Sequence, residues 1–243
     1  MALQRFFVNT CDIEQNNIVL TGNNAKHISF SLRMAPGERI VVCDGAGNDC
    51  LCEITRITSD SVFCDVIEKK KNEAEPPYRA VLYQALAKGE KMDYIIQKAV
   101  EFGVCEIVPF ESSRCIAKLR EGSAEKKIAR WQRIAEEAAK QCGRGIIPRV
   151  AEPVSFANAL KSADGVSFIC YESEDQRSVS ELEKAAKYSF FIGPEGGFSS
   201  EEIEASKAMG ILPVTLGKRI LRAESASGFV LACLSYKNEL TKE

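Results

Sequence analysis

Apolar and polar positions alternate in short runs through the first quarter of the chain. "RFFVN", "NIVLTG", "RIVVCDG", "DCLCEITRI" and "SVFCDVIE" are rich in Val, Ile and Phe and are separated by turn residues such as "APGE" and "DGAGND". That is the signature of short strands. "NNAKHISFSLRM" is the expected helical exception among them. Several short strands at this spacing predict a small β-barrel over residues 1–70. "EKKKNEAEPPYR" then carries charge and proline without periodicity, so a linker is expected at 71–78.

Beyond it, over residues 79–243, strands alternate with helices. "AVLYQAL" reads as a buried strand, and "KMDYIIQKAVEFGV" places Met92, Ile95, Ile96 and Ala99 on one helical face. Gly103 stands where a helix-terminating glycine belongs. "CEIVPF" is the next strand. Ser123 is a candidate N-cap for "AEKKIARWQRIAEEAAKQCG", whose stripe is Ile128, Trp131, Ile134, Ala138 and Cys142. Three strand–loop–helix units follow: "GVSFICYESED" with "SVSELEKAAK", "YSFFIGPEGGF" with "SSEEIEASKAMG", and "LPVTLGKRILRAES" with "ASGFVLACLSYKNEL". This alternation predicts a parallel, doubly wound α/β sheet. Ligands sit at the carboxyl ends of the strands of such sheets, where "CYESE", "GPEGG" and "LGKRILRAES" fall.

Composition adds limits. The 243 residues are 45% hydrophobic and 27% charged, ordinary for a globular protein with a real core. No apolar stretch of membrane-spanning length and no leader pattern is present, so a cytoplasmic protein is expected. Most of the ten cysteines lie inside apolar runs, and His27 is the one histidine. Cys50 and Cys52 would point the same way from a strand, but no clustered ligand set predicts a metal site. Reduced, buried thiols are the expectation. The net charge of −2 hides a basic middle: residues 111–150 carry ten Lys/Arg against five Asp/Glu. Lys126, Lys127, Arg130, Arg133 and Lys140 lie mostly off the apolar stripe of their helix. Charge alone favours a solvated helix face over an anionic partner such as RNA.

"GPEGG" lacks the Lys-Ser/Thr of a P-loop and is not G-x-G-x-x-G, so neither triphosphate nor ordinary dinucleotide binding is expected. Its glycines can adopt positive φ and present backbone N–H groups to a ligand, though a purely structural turn would look the same. Ser199 and Glu202 form a candidate capping box at the next helix. In "LGKRILRAES", Arg219, Arg222 and Glu224 flank Ile220 and Leu221. That alternation fits either an apolar pocket with charges at its rim or a strand end with solvated arginines.

"IGPEGGFSSEEI" together with "LGKRILRAESA" resembles the 16S rRNA uracil-N3 methyltransferase family, within the SPOUT superfamily. The resemblance runs over nearly the whole chain. "RFF", "HISFSLRM", "PGE" and "CDGAG" resemble its N-terminal PUA-like RNA-binding barrel; "QKAVEFGVCEIVPFESSRC" and "RWQRIAEEAAKQCGR" resemble the entry to its catalytic domain. Ser225 stands where the family more often has Thr, and Phe102 where Leu is usual.

The resemblance implies a C-terminal α/β domain with a deep trefoil knot and a homodimer whose active site is completed across the interface. It implies S-adenosylmethionine held in a bent form by three loops: Tyr171 and Glu172; Ile192, Gly193, Pro194, Glu195, Gly196 and Gly197; and Leu216, Gly217, Arg219, Ile220, Leu221 and Ala226. It implies transfer of a methyl group to N3 of a uridine in 16S rRNA of the small ribosomal subunit, with no membrane and no metal. Arg222 is the expected catalytic cation and Glu224 its orienting partner, with Glu195 the alternative carboxylate. Arg5, Arg33, Arg39, Arg114, Lys118, Lys126, Arg130 and Arg133 are the expected RNA contacts, and the basic middle reads as an RNA surface after all. His27 is expected to be structural. The alternatives are a related methyltransferase acting on tRNA or another rRNA site, or a non-catalytic RNA-binding module of ribosome assembly.

Overall fold

A computed structural model of the chain describes residues 3–8, 16–116, 122 and 124–241. Ser123 and Lys118, expected as a helix cap and an RNA contact, lie outside the described residues. The contacts divide the chain into two units, residues 1–75 with 139–147, and residues 76–138 with 148–243.

The first unit holds a curled five-stranded sheet in the order β1-β3-β4-β5-β2. Its strands are β1 (Arg5–Phe7), β2 (Asn17–Thr21), β3 (Arg39–Cys43), β4 (Asn48–Ile57) and β5 (Ser61–Lys71). β1 runs parallel to β3, and the other pairs are antiparallel. Alternate residues Ile40, Val42, Cys50, Cys52, Ile54, Val62 and Cys64 face a core shared with Phe6, Ile18, Leu20 and Ile28. Cys50 and Cys52 therefore share a face, as their spacing requires. Burial pushes the thiols of Cys43, Cys52 and Cys64 up to about 12, so they behave as small apolar groups. The helical exception is α1 (Gly22–Lys26), continued by a wide π-type turn over His27–Leu32. "EKKK" is not a loose connection: β5 carries strand geometry through Lys71. Glu75 of the same stretch accepts from the Arg144 side chain at 2.7 Å and from the amides of Gly145 and Ile146, each at 3.0 Å.

The second unit is built on a parallel sheet in the order β12-β10-β11-β6-β7-β8, with β9 also pairing β7. Its strands are β6 (Arg79–Ala85), β7 (Glu106–Glu111), β8 (Arg149–Val150), β9 (Val154–Ser155), β10 (Val166–Cys170), β11 (Lys187–Ile192) and β12 (Leu212–Val214). The helices are α2 (Lys91–Glu101), α3 (Ala124–Cys142, of which residues 139–142 are counted with the first unit), α4 (Phe156–Ser162), α5 (Ser200–Ala208) and α6 (Ala223–Ser235). α2 buries Met92, Ile95, Ile96 and Ala99 on one face, as their spacing predicts. It ends in a Schellman motif, with the Gly103 amide on the Val100 carbonyl, the Val104 amide on the Ala99 carbonyl, and Gly103 at φ +89°.

Three local expectations need correction. The buried side of α3 runs through Trp131, Ala135, Ala138 and Ala139, while Ile128 and Ile134 are only half-buried. "SVSELEKAAK" forms a single 3₁₀ turn, Val179–Glu181, rather than a helix. Its apolar residues are too few for a helical stripe, and the Tyr188 hydroxyl, accepting from the Ala185 amide and donating to the Glu183 carbonyl, holds the chain on its way into β11. α4, which the pattern reading passes over, is capped by the Ser155 hydroxyl accepting from the Asn158 amide.

Candidate active site

Because β6, β10, β11 and β12 are parallel neighbours, their carboxyl ends open on one edge of the sheet. The loops there enclose a cavity of about 920 Å³, within the range of small-molecule and cofactor sites. Every residue expected to hold a cofactor lines it: Tyr171, Glu172, Ile192 to Gly197, Leu216, Gly217, Arg219, Ile220, Leu221 and Ala226. Arg222 and Glu224 line it too.

An aromatic floor fixes the glycine turn. Tyr83 stacks on Phe191 at 4.4 Å between ring centroids, and Phe110 packs against Phe156 and Phe198. Phe198, the first residue after the turn, is buried, and its ring lies 3.1 Å from where a side chain on Gly193 would begin. Gly197 takes φ +67°, and its amide donates to the Pro194 carbonyl at 2.9 Å. A Cβ there would also meet Glu172 Oε1 at 2.5 Å. The turn therefore needs glycine for its backbone angle and for the approach of the neighbouring loop. The capping box is present: the Ser199 hydroxyl accepts from the Glu202 amide, and the Glu202 carboxylate accepts from the Ser199 amide.

The carboxylates differ in their surroundings. Glu195 accepts from Lys91 Nζ at 2.8 Å, and that hydrogen bond holds its carboxyl below the usual range against the opposing effect of burial. Glu224 lies in the first turn of α6, where the helix dipole favours an anion, and its Oε2 is buried without a hydrogen-bond partner. Arg222 directly precedes α6 with an exposed side chain and an extended backbone. Among the described residues no ion pair joins it to Glu224, in contrast to the expected orienting contact. Ile220 is 85% exposed, so this loop presents apolar surface and charge together.

The resemblance read from the motifs is matched by comparison with known proteins. Residues 74–235 match the model of the RNA methyltransferase domain, and residues 20–67 that of the RNA methyltransferase PUA domain. The chain belongs to the RNA methyltransferase family. It is 33% identical to the ribosomal RNA small subunit methyltransferase E of Bacillus subtilis, over 99% of both chains. It is 35% identical to that of Mesomycoplasma hyopneumoniae, over 94% of this chain and 97% of the relative. The crystal structure of the Neisseria gonorrhoeae ribosomal RNA small subunit methyltransferase E bound to S-adenosyl methionine superposes with a TM-score of 0.89, at 29% identity, covering 96% of this chain and 97% of that one. The curled sheet and the parallel α/β unit are thus the PUA-like and SPOUT-type parts of a two-part methyltransferase.

The basic residues expected at an RNA surface in this family fall into distinct settings. Arg5 pairs with Asp49 at 2.7 Å in a largely buried position and also donates to Cys43 Sγ. Arg33 is exposed at φ +53°, and Arg39 is exposed 3.7 Å from Glu53. Lys126, Lys127 and Arg133 are exposed on α3, and Arg130 on the same helix pairs with Asp93. Arg114 stands at the cavity turn, its Nη1 donating to the Gly196 carbonyl at 3.0 Å. The motif reading missed Lys91, Glu174, Asp175, Phe198 and Thr215, all of which line the cavity. Lys91 had a signal: "AKGEK" follows a strand of the same parallel sheet, so its loop had to emerge at the same edge. Among the described residues no group of His, Cys, Asp and Glu is placed to hold a metal ion, and no helix is long and apolar enough to cross a membrane.

Proposed function

We propose that this chain is an S-adenosylmethionine-dependent methyltransferase acting on N3 of a specific uridine in 16S rRNA of the small ribosomal subunit. The observation that carries the reading is the cavity that "GPEGG" and "LGKRILRAES" form together at the carboxyl edge of the sheet, with Arg219, Arg222, Glu195 and Glu224 of these loops around it.

The residues fit such a cofactor. Ile192, Ile220 and Leu221 offer apolar cover for a purine, and backbone groups of the two loops offer donors and acceptors to its edge. Glu172, Glu174 and Asp175 are suited to an ammonium group. When bound, the cofactor supplies an electrophilic methyl group. The chain's part is then to deal with the target base. Uracil N3 is protonated at neutral pH and lies on the pairing edge, so the nucleotide must leave its stack to be read. Arg222, which pairs with no carboxylate among the described residues, would stabilise negative charge developing on the base oxygens, which is worth about 10²–10³ in rate for fixed donors of this kind. Glu224 provides an acceptor in the same wall, while Glu195 is held by Lys91 and serves position rather than proton transfer.

The same reading takes residues 1–70 as the RNA-binding part, 71–78 as the connection and 79–243 as a knotted catalytic part working in the cytoplasm. RNA contacts are assigned to Arg33, Arg39, Arg114, Lys126, Arg130 and Arg133. A homodimer is supported by apolar surface on α2 and α6: Tyr94, Phe102, Phe229 and, just past α6, Tyr236 are exposed. Phe102 lies 3.4 Å from where a side chain on Gly228 would begin, so the two helices present these residues together. To test the function, labelled cofactor is incubated with small subunits, naked 16S rRNA and tRNA from cells lacking the activity. Label in 16S rRNA supports the reading. Label in tRNA alone assigns a different substrate, and no label in any of them leaves a binding module.

A further inference from the structure

Glu202 does more than cap a helix. It is 8% exposed, and three donors from two chain segments converge on its carboxylate. The Ser199 amide donates to Oε2 at 2.9 Å, the Ser113 amide to Oε1 at 2.8 Å and the Ser112 hydroxyl to Oε2 at 3.3 Å. The first belongs to the start of α5, and the others to the segment after β7. That segment is itself tightly turned: the Cys115 amide donates to the Ser112 carbonyl at 3.1 Å, and the Ser112 amide to Cys115 Sγ at 3.3 Å. Between these anchors stands Arg114. Its side chain lies along the glycine turn, with Cβ 3.5 Å from where a side chain on Gly196 would begin and Nη1 on the Gly196 carbonyl. Among the described residues no carboxylate forms an ion pair with it, and the side chain is exposed. One guanidinium donor is on the Gly196 carbonyl, a residue that lines the cavity, and the nearby Glu201 carboxyl feels the guanidinium charge without pairing with it.

We propose that Glu202 is a positioning residue, whose buried carboxylate staples the 112–115 segment to the start of α5 so that Arg114 stands on the glycine turn and offers its remaining donors to an RNA phosphate beside the target nucleotide. The inference rests on the RNA methyltransferase reading and adds which groups join the RNA grip to the cofactor wall. A planar guanidinium held at one end by a carbonyl is pre-organised for a phosphate in a way a free surface lysine is not. The buried carboxylate makes this placement depend on α5, because breaking one of its partners leaves acceptor capacity unfilled in a dry site.

The test is a double-mutant cycle with Arg114→Ala and Glu202→Gln, read by binding to a 16S rRNA transcript over a range of salt. Calorimetric affinity for S-adenosylhomocysteine is measured in parallel. Arg114→Ala should weaken RNA binding about three- to tenfold and lower the slope of log affinity against log salt by about one. Arg114→Lys should restore most of the slope. Glu202→Gln should weaken RNA binding in the same direction, and the double variant should be no worse than Arg114→Ala alone, the non-additivity expected of residues that act through one another. Should Glu202→Gln fold poorly, Ser112→Ala takes its place in the cycle. An unchanged salt slope in Arg114→Ala, strictly additive losses, or a loss confined to S-adenosylhomocysteine would overturn the proposal. Failure of the underlying function would show separately, as wild-type protein that binds RNA and transfers no labelled methyl group to it.

Discussion

Arg5 and Arg222 are both arginines near acidic residues, and the two parts of the molecule use them in opposite ways. In the curled sheet Arg5 meets Asp49, Asp49 meets the Asn72 amide, and Asn72 donates onward to the Gly143 carbonyl. That network is closed: each charge has an internal partner. At the open edge of the parallel sheet, Arg222 faces a cavity with no ion pair among the described residues, and Glu224 has a buried oxygen without a partner. A charge that already has its partner in a largely buried position is architectural. One left unneutralised beside a cavity is available to a ligand. Sequence alone could not separate the two, since both arginines sit beside apolar runs.

Substitutions can break this comparison, beginning with the largest effect. Arg222→Ala should lower turnover about 10²–10³-fold, while calorimetry shows cofactor affinity within a few-fold of wild type and the melting temperature stays put. A variant keeping most of its turnover would remove Arg222 from the chemistry. Gly197→Ala should follow. It forces an alanine to φ +67° against the Glu172 carboxylate, costing about 1–3 kcal/mol, and cofactor affinity should fall together with stability in denaturant titrations. Arg5→Ala should lose about 1–3 kcal/mol of stability, because Asp49 is left partly unpaired in a largely buried site. Its affinity for rRNA should change less than twofold, and a larger loss would return Arg5 to the RNA surface.

The smallest effect concerns Lys91→Met. The partner lysine holds the Glu195 carboxyl below its ordinary value, so the pair stabilises the fold above the ordinary carboxylate range and loses that contribution as pH falls through the lowered value. Both side chains are partly exposed, so the difference between wild type and variant should stay under about 1 kcal/mol. Melting curves at neutral pH should show it, and curves taken below the carboxylate range should not.

Much of this architecture was legible because it depends on local pattern. The period-two runs of the first unit, the Gly103 helix stop and the Ser199 capping box are set by neighbouring residues, and the structure has them. The two site loops were legible through their motifs and through the rule that parallel strands deliver loops to one edge. What escaped depends on distant partners. Lys91 reaches Glu195 across 104 positions, and Ser113 reaches Glu202 across 89. "SVSELEKAAK" fails as a helix because Tyr188, beyond its end, holds its backbone. Arg5, expected to face RNA, is taken up by Asp49, which lies 44 positions away and is brought alongside by the strand register.

The most direct test of the central claim is the identity of the methylated atom. 16S rRNA from small subunits treated with the protein and cofactor is digested to nucleosides and analysed by mass spectrometry against methyluridine standards. The account predicts 3-methyluridine, close to one per subunit, formed at an initial rate about 10²–10³-fold lower when Arg222→Ala replaces the wild type. A methyl group on ribose or on uracil C5, or on another base, would contradict it.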